Sequence, residues 1–372
     1  MLMAFFVKKF LQIFLVSSLV LHSAQAQAAT LDQMAGQMIL LGFQGDSALA
    51  QSVRQTKKLI KDGRIGGVMY LKFNVKSLAD VKAINAGFLG TGAALPPFIA
   101  IDQEGGSIER LTNAVGFAEI PSAANFASNS SVQRAQKIYY SMAKGLSLLG
   151  INMNFGPVVD LNINKKNPII AKYGRSYGDD PKTVVAFAEA FVSAHRMAGV
   201  ISTLKHFPGH GSSKGDSHVG FVDITSTWQA KELEPYRIMV KDNKVDMVMI
   251  AHLFHQQFST EQGVQLPSSL SKNWVTGVLR QQIGYNGVII SDDMEMAAIR
   301  NNFNLQETVV RAIDAGVDIL LFSNTANYRI SLADEVRAII VAKAKSDANF
   351  RAKVEASYLR IVKLKKRTGN LG

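Results

Sequence analysis

The chain contains no cysteine, which excludes a disulfide framework, thiolate metal sites, a cysteine nucleophile and a lipid anchor attached through cysteine. It also lacks a long hydrophobic run. The most apolar stretch, Phe10 to Leu21, spans 12 residues, short of the roughly 20 that a membrane-spanning helix needs. No linker rich in Pro, Gly or Ser divides the 372 residues, and no internal repeat is visible. No segment interleaves basic and aromatic residues in the pattern of a nucleic-acid binder. Hydrophobic residues make up 47% and charged residues 19%, a globular balance that excludes wholesale disorder.

What is present begins with a leader. Lys8 and Lys9 precede the apolar run, and Ala24-Gln25-Ala26 and Ala26-Gln27-Ala28 follow it. A positive end, a short greasy core and an Ala-x-Ala site predict a secretory signal peptide over residues 1–28; a retained anchor is the alternative. The expectation is an exported chain, periplasmic or secreted, with one domain over residues 29–372, no stable membrane insertion and no nucleic-acid partner. The net charge of +12 is unevenly placed, with nine Lys or Arg against two acids between Lys343 and Arg367. A basic C-terminal helix there would either meet an anionic wall polymer or lipid, or be a solvated helix face.

Eight short apolar runs read as strands: Met38–Phe43, Gly67–Leu71, Phe98–Asp102, Asn152–Val159, Val200–Leu204, Asp246–Ala251, Gly287–Ser291 and Val317–Phe322. Near-continuous apolar strands imply burial on both faces, hence a parallel sheet with helices outside. Between them, Ser131–Leu149, Lys182–Ala198 and Leu305–Ala315 have apolar positions three and four apart. Pro181 stands where a helix begins, after Asp179 or Asp180 as its cap, and Gly150, Gly199 and Gly316 mark helix ends. Eight strand–helix units predict an α/β fold of the (β/α)8 TIM-barrel type, with a doubly wound sheet as the alternative. The alternative lacks a GxGxxG after its first strand.

In such barrels chemistry sits at the C-terminal strand ends. There the sequence offers Asp102-Gln103-Glu104-Gly105-Gly106, Asp160, Lys205-His206, His252 and Asp292-Asp293. Asp293 is expected to cap the next turn, whereas Asp292, read as the first residue past its strand, can face the axis as a nucleophile. Pro208 to Gly220 is too glycine-rich for helix or strand and reads as a flexible loop over the mouth. On it Asp216 and His218, two apart, form either an acid/base pair or an Asx-turn beside a surface histidine. A lysine following a buried run needs a partner, so Lys205 points to ligand binding or a structural ion pair. His252 is either a buried hydrogen-bonded histidine or a substrate contact; Arg110 and Arg175 are either salt-bridge or binding residues.

Taken together these residues resemble glycoside hydrolase family 3, and most of all its single-domain bacterial β-N-acetylglucosaminidases. Asp102-Gln103-Glu104-Gly105-Gly106 with Arg110 is similar to a D-Q-E-G-G-x-x-x-R sugar-binding motif, and Arg175-Ser176-Tyr177-Gly178 to R-[SA]-[FY]-G. Lys205-His206-Phe207-Pro208-Gly209-His210-Gly211, then Asp216-Ser217-His218, resembles K-H-F-P-G-H-G…D-S-H; Ser291-Asp292-Asp293-Met294-Glu295-Met296 resembles S-D-D-L-x-M. The resemblance spans residues 31 to 365. It implies an exo-acting retaining β-N-acetylhexosaminidase acting on wall fragments or chitin-like oligosaccharides. Asp292 would be the nucleophile and His218 the acid/base held by Asp216, with Asp102, Arg110, Arg175, Lys205 and His206 gripping the terminal sugar. Met296 would lie near the site. No metal or other cofactor is expected, and the substrate partner is an N-acetylglucosamine-containing glycan or muropeptide.

Ser107 stands where an arginine is common, and the leader is unlike the cytoplasmic enzymes of wall recycling. A β-glucosidase, a glycoside phosphorylase, a metal-dependent hydrolase using His206, His210, His218 and His252, and a non-catalytic sugar-binding barrel are the competing readings. The oligomeric state is left open.

Overall fold

The computed structural model describes residues 29–261 and 263–368; the expected signal peptide lies outside them. Eight parallel strands close into a barrel: β1 (Ile39–Gly42), β2 (Gly67–Tyr70), β3 (Phe98–Ile101), β4 (Met153–Asn154), β5 (Ile201–Phe207), β6 (Met247–Ile250), β7 (Val288–Asp293) and β8 (Ile319–Phe322). Each pairs with its sequence neighbours, and β8 closes on β1 through Ile39 opposite Leu320. Every residue of β1, β2, β3, β6 and β8 is buried, as strands packed inside and outside must be. The expected (β/α)8 barrel is therefore the fold.

The helices follow their local signals. Val132–Leu148 starts at the Ser131 cap, and Pro181–Met197 starts with proline at its first turn after Asp180, whose side chain accepts from the Thr183 N–H. Leu305–Ala315 has the expected bounds and ends at Gly316, held at φ 110°, where a Cβ would be strained. At the N-terminal end of the barrel, Lys365 of the helix Ala348–Lys365 donates to Gln37 Oε1 and to the Gly66 and Pro96 carbonyls, each at 2.7 Å. Three segments leading into β1, β2 and β3 are thereby fastened by one ammonium.

Three strands differ from expectation. β4 holds two residues in place of Asn152–Val159, because Pro157 has no N–H to give the ladder. The Gly156 and Pro157 carbonyls still accept from the Thr203 and Lys205 N–H groups, and Val158 bridges to Lys205. β5 runs on past Leu204 to Phe207, and β7 past Ser291 to Asp293, so Lys205, His206 and Asp292 belong to strands and do not follow them. Both extensions carry a register shift. Leu204 to Phe207 on β5 faces only Val248 to Ile250, and Ile290 to Asp293 on β7 faces only Ile319 to Leu321. Each strand thus holds one extra residue at its C-terminal end, a bulge that breaks the inward–outward alternation and re-aims the side chains there.

Candidate active site

All eight expected site residues belong to the C-terminal face of the barrel or the loops leaving it. Asp102 follows β3 and Lys205 lies in β5. The Lys205 ammonium, 3% exposed, donates to Asp102 Oδ1 at 2.8 Å and lies 2.7 Å from Glu104 Oε1. Arg110 donates to the other Asp102 oxygen at 2.9 Å. Arg175 grips Glu104 with two parallel bonds of 2.9 and 2.8 Å, the bidentate geometry that makes an arginine–carboxylate pair strong. Burial alone would raise both carboxyls. The facing Lys205 and Arg110 hold Asp102 well below the usual carboxylate range, and Arg175 with Lys205 holds Glu104 at about 2. Two carboxylates thus meet three cations in one cluster, and Arg110, Arg175 and Lys205 are ion-paired within the candidate site. The ion-pair reading of these three residues is the one the contacts show.

His206 is aimed by a residue that carried no assigned role in the sequence. Asp160, fully buried after the broken β4, accepts from His206 Nδ1 at 2.7 Å and from the His206 and His210 N–H groups at 3.2 and 2.8 Å. The carboxylate only accepts, so Nδ1 donates to it, and the Arg175 guanidinium lies 3.2 Å from Nε2 on the other side of the ring. Burial would raise the Asp160 carboxyl, and His206 and His210 bring it below its ordinary value.

Asp292 stands at the β7 bulge, partly accessible, with Oδ1 accepting from the Asp293 N–H at 2.8 Å. Enclosure would raise its carboxyl, but His252, His206 and His218, together with that N–H, lower it below the ordinary aspartate value. Asp293 does act as a cap, its Oδ1 accepting from the Glu295 and Ser323 N–H groups at 3.0 and 2.9 Å. His252 is the buried, hydrogen-bonded histidine. Its Nε2 donates to the Asp293 carbonyl at 3.0 Å, which leaves Nδ1 to accept from the Ser269 hydroxyl at 2.7 Å, and burial lowers its pKa. Met296 is buried just beyond β7 and caps the short helix Ala297–Arg300.

The loop after β5 is not uniformly free, in contrast to the expectation. Its first half is tucked in: His210, Ser212 and Ser213 are buried, His210 Nδ1 lies 2.7 Å from Ser213 Oγ, and Asn167 donates to the His210 and Ser213 carbonyls. Gly211 is required by this path, because a Cβ there would fall 1.7 Å from the Leu161 carbonyl oxygen. Beyond it, Asp216 Oδ1 accepts from His218 Nδ1 at 2.7 Å and from the His218 N–H at 2.9 Å. The Asx-turn and the Asp216–His218 side-chain bond are therefore parts of one structure. The His218 side chain is 64% exposed and that of Asp216 29%. The tip is tied to the crossover after β7, since the Ala298 N–H donates to the Ser217 carbonyl at 3.4 Å. His218 is thereby kept within electrostatic reach of Asp292.

Three of the four histidines considered as metal ligands have both ring nitrogens engaged, His206 by Asp160 and Arg175, His210 by Ser213 and Ser217, and His252 by Ser269 and Asp293. A metal would have to displace those bonds. Among the described residues no three His, Cys, Asp or Glu are grouped to hold a metal ion.

With this geometry in view, comparison with known proteins is direct. The model of the family "Glycosyl hydrolase family 3 N terminal domain" matches residues 30–364. The chain is 31% identical over 382 residues to "Beta-hexosaminidase A" of Pseudoalteromonas piscicida, covering 92% of this chain and 62% of that one. It superposes on a glycoside hydrolase family 3 β-N-acetylglucosaminidase from Paenibacillus sp. with a TM-score of 0.82 and 31% identity, over 93% of this chain and 64% of that one. On a β-N-acetylhexosaminidase from Beutenbergia cavernae the TM-score is 0.79 at 27% identity, over 91% and 99% of the two chains. The chain thus spans under two thirds of the length of the first two and nearly the whole of the third. With one family profile running through the barrel from end to end, the chain belongs to glycosyl hydrolase family 3.

Proposed function

We propose that the protein is an exo-acting, retaining β-N-acetylhexosaminidase that removes terminal β-linked N-acetylglucosamine from peptidoglycan fragments or chitin-like oligosaccharides. The observation that supports this most is the meeting, at one rim, of an ionised Asp292 with the Asp216–His218 pair tethered beside it. Relatives named as hexosaminidases and N-acetylglucosaminidases support the same reading.

In this mechanism the Asp292 carboxylate attacks the anomeric carbon and forms a glycosyl ester, while His218 gives its Nε2 proton to the departing oxygen. Asp216 fixes the ring by accepting from Nδ1, so the free nitrogen points to the leaving group. His218 then takes a proton from water, whose oxygen attacks the ester and releases the sugar with retained configuration. Asp102, Arg110, Arg175, Lys205 and His206 grip the hydroxyls of the terminal sugar. Their mutual ion pairs orient them before substrate arrives, so little ordering entropy is lost on binding. Residues 1–28 act as an export signal, which puts the substrate in the periplasm or outside the cell.

The test is hydrolysis of a panel of aryl β-glycosides, the N-acetylglucosaminide and the glucoside among them, with and without inorganic phosphate. Release of free N-acetylglucosamine that is insensitive to phosphate supports the proposal. Preference for the glucoside, or appearance of a sugar phosphate, replaces it with the glucosidase or the phosphorylase.

A further inference from the structure

The barrel end opposite this site holds a second concavity, a cleft of about 600 Å³. It lies between the turns entering β6 and β7 and the last turns of the helices Pro181–Met197 and Ala348–Lys365, and its charged lining is Arg196, Asp246, Arg360, Lys363 and Arg367. Asp246 and Gly287 immediately precede their strands, which fixes the cleft at the N-terminal face.

Two buried carboxylates form its foundation. Asp246 accepts from Arg196 Nε at 2.8 Å and from Arg367, and Asp318 accepts from Arg360 Nε at 3.0 Å and from Arg280 at 2.8 Å. These bonds orient the guanidinium groups without exhausting them. Arg196 uses Nε on Asp246 and NH1 on the Asn243 carbonyl, and Arg360 uses Nε and NH2 on Asp318, so each keeps an N–H group for a ligand. Lys363 is exposed and has no acidic partner among the described residues.

The charge balance decides what the cleft favours. Four cations and one carboxylate line the cleft, the Arg280–Asp318 pair beneath it cancels, and two helix C-termini are worth about −0.5 each, which leaves about +2. That is more positive charge than the ion pairs and helix ends consume. We infer that this cleft binds a phosphate-ester anion. Arginine forks already set in place match phosphate oxygens in bidentate fashion, and the volume is that of a small-ligand site, enough for one or two phosphate groups. A protein held by this face would turn its opposite rim outward from a phosphate-bearing surface. The inference stands independently of the glycosidase reading.

The test titrates the full chain with tripolyphosphate at low ionic strength by calorimetry. In parallel, the chain is sedimented with phosphatidylglycerol vesicles and with phosphatidylcholine vesicles. Saturable tripolyphosphate binding is expected, weakened at least tenfold in K363E/R367E and unchanged in K57E/K61E, which makes the same charge change on the helix Gln51–Lys61, outside the cleft lining. Glycoside hydrolysis should be unaffected in both. The single variant K363E, expected to weaken binding severalfold, stands in if the double variant fails to fold. Retention on phosphatidylglycerol alone, lost in K363E/R367E, assigns the ester to a lipid headgroup; tripolyphosphate binding without vesicle retention assigns it to a soluble phosphate ester. Absence of saturable binding, or equal loss in the cleft and control variants, overturns the inference.

Discussion

Replacing Glu232 by glutamine should stabilise the protein at alkaline pH and cost stability at acid pH. Glu232 is 1% exposed beneath the loop after β5; its Oε2 accepts from the Ser212 N–H at 3.3 Å and its Oε1 from the Gln229 N–H at 3.2 Å. The glycine at 209, at φ 121°, lets the chain pass this side chain, since a Cβ there would fall 2.7 Å from Glu232 Cβ. Among the described residues no cation pairs with the carboxyl, and Asp160 adds a like charge, so burial pushes its pKa from 4.5 up to about 8. The native state therefore holds a proton that the unfolded chain releases. The stabilisation is fully present below about pH 4.5 and is lost as pH rises through about 8. At about 1.4 kcal/mol per tenfold change in proton affinity, the wild type should lose about 2–4 kcal/mol across that window. Glutamine has no proton to lose, and it surrenders one of the two accepted bonds, about 1 kcal/mol. Urea unfolding of both proteins at pH 5 and pH 8.5 checks this. Glu232→Gln should be less stable by about 1 kcal/mol at pH 5 and more stable at pH 8.5. A stability difference that does not change between the two pH values would show that Glu232 is ionised in the fold and refute the reasoning.

Asp292→Asn should reduce hydrolysis of an aryl β-N-acetylglucosaminide by at least ~10³-fold with substrate affinity little changed, measured by kcat and by inhibitor titration. Because Asp292 lies below the ordinary value of 3.8, the acid limb of kcat/KM should fall below that pH; a limb near pH 6 that vanished in a nucleophile variant would contradict it. His218→Ala should lose far more activity on a substrate with a poor leaving group than on a nitrophenyl glycoside, whose departure needs little protonation. Asp216→Asn should show the same trend at roughly 10–10²-fold. Lys205→Met should destabilise the fold by about 3–5 kcal/mol in chemical denaturation, because it leaves Asp102 and Glu104 short of a cation in a nearly dry cluster.

Much of this was legible in the chain. Parallel strands covered on both faces must be apolar along their whole length, so β1, β2, β3, β6 and β8 stood out as runs of Val, Ile, Leu and Met. Caps such as Asp180 before Pro181 and Gly316 act within a few residues and can be read locally. The bulges at Lys205-His206 and Ser291-Asp292 were not legible, since a register shift is a relation between two strands and leaves no mark in either. Asp160 was visible as an acid at a strand end, but its grip on His206 depends on how Gly156-Pro157 breaks β4. Glu104 sits inside the Asp102–Gly106 motif with nothing local to mark its role, although it completes the pairing of Arg175. Glu232 lies in an ordinary amphipathic stretch; only the glycine at position 209, packed against it, hints that the side chain turns inward.

The two ends of the barrel show why a count of charges could not assign function. At the C-terminal rim, Lys205, Arg110 and Arg175 are matched by three carboxylates, Asp102, Glu104 and the nearby Asp160, so the charges cancel while the donors and acceptors stay oriented. At the N-terminal face, Asp246 and Asp318 hold arginines in place but fall short of balancing them. The basic stretch from Lys343 to Arg367 supplies part of that excess, yet Arg196 and Arg280 come from remote crossovers. The difference between a solvated helix face and a binding cleft therefore arises only on folding. Recognition of a sugar needs charges that cancel locally while their hydrogen-bonding directions persist, whereas recognition of a phosphate ester needs charge left over. One fold can carry both kinds of charge balance because its strands separate the two ends, and substitutions at Lys363 and Arg367 should leave the surroundings of Asp292 untouched.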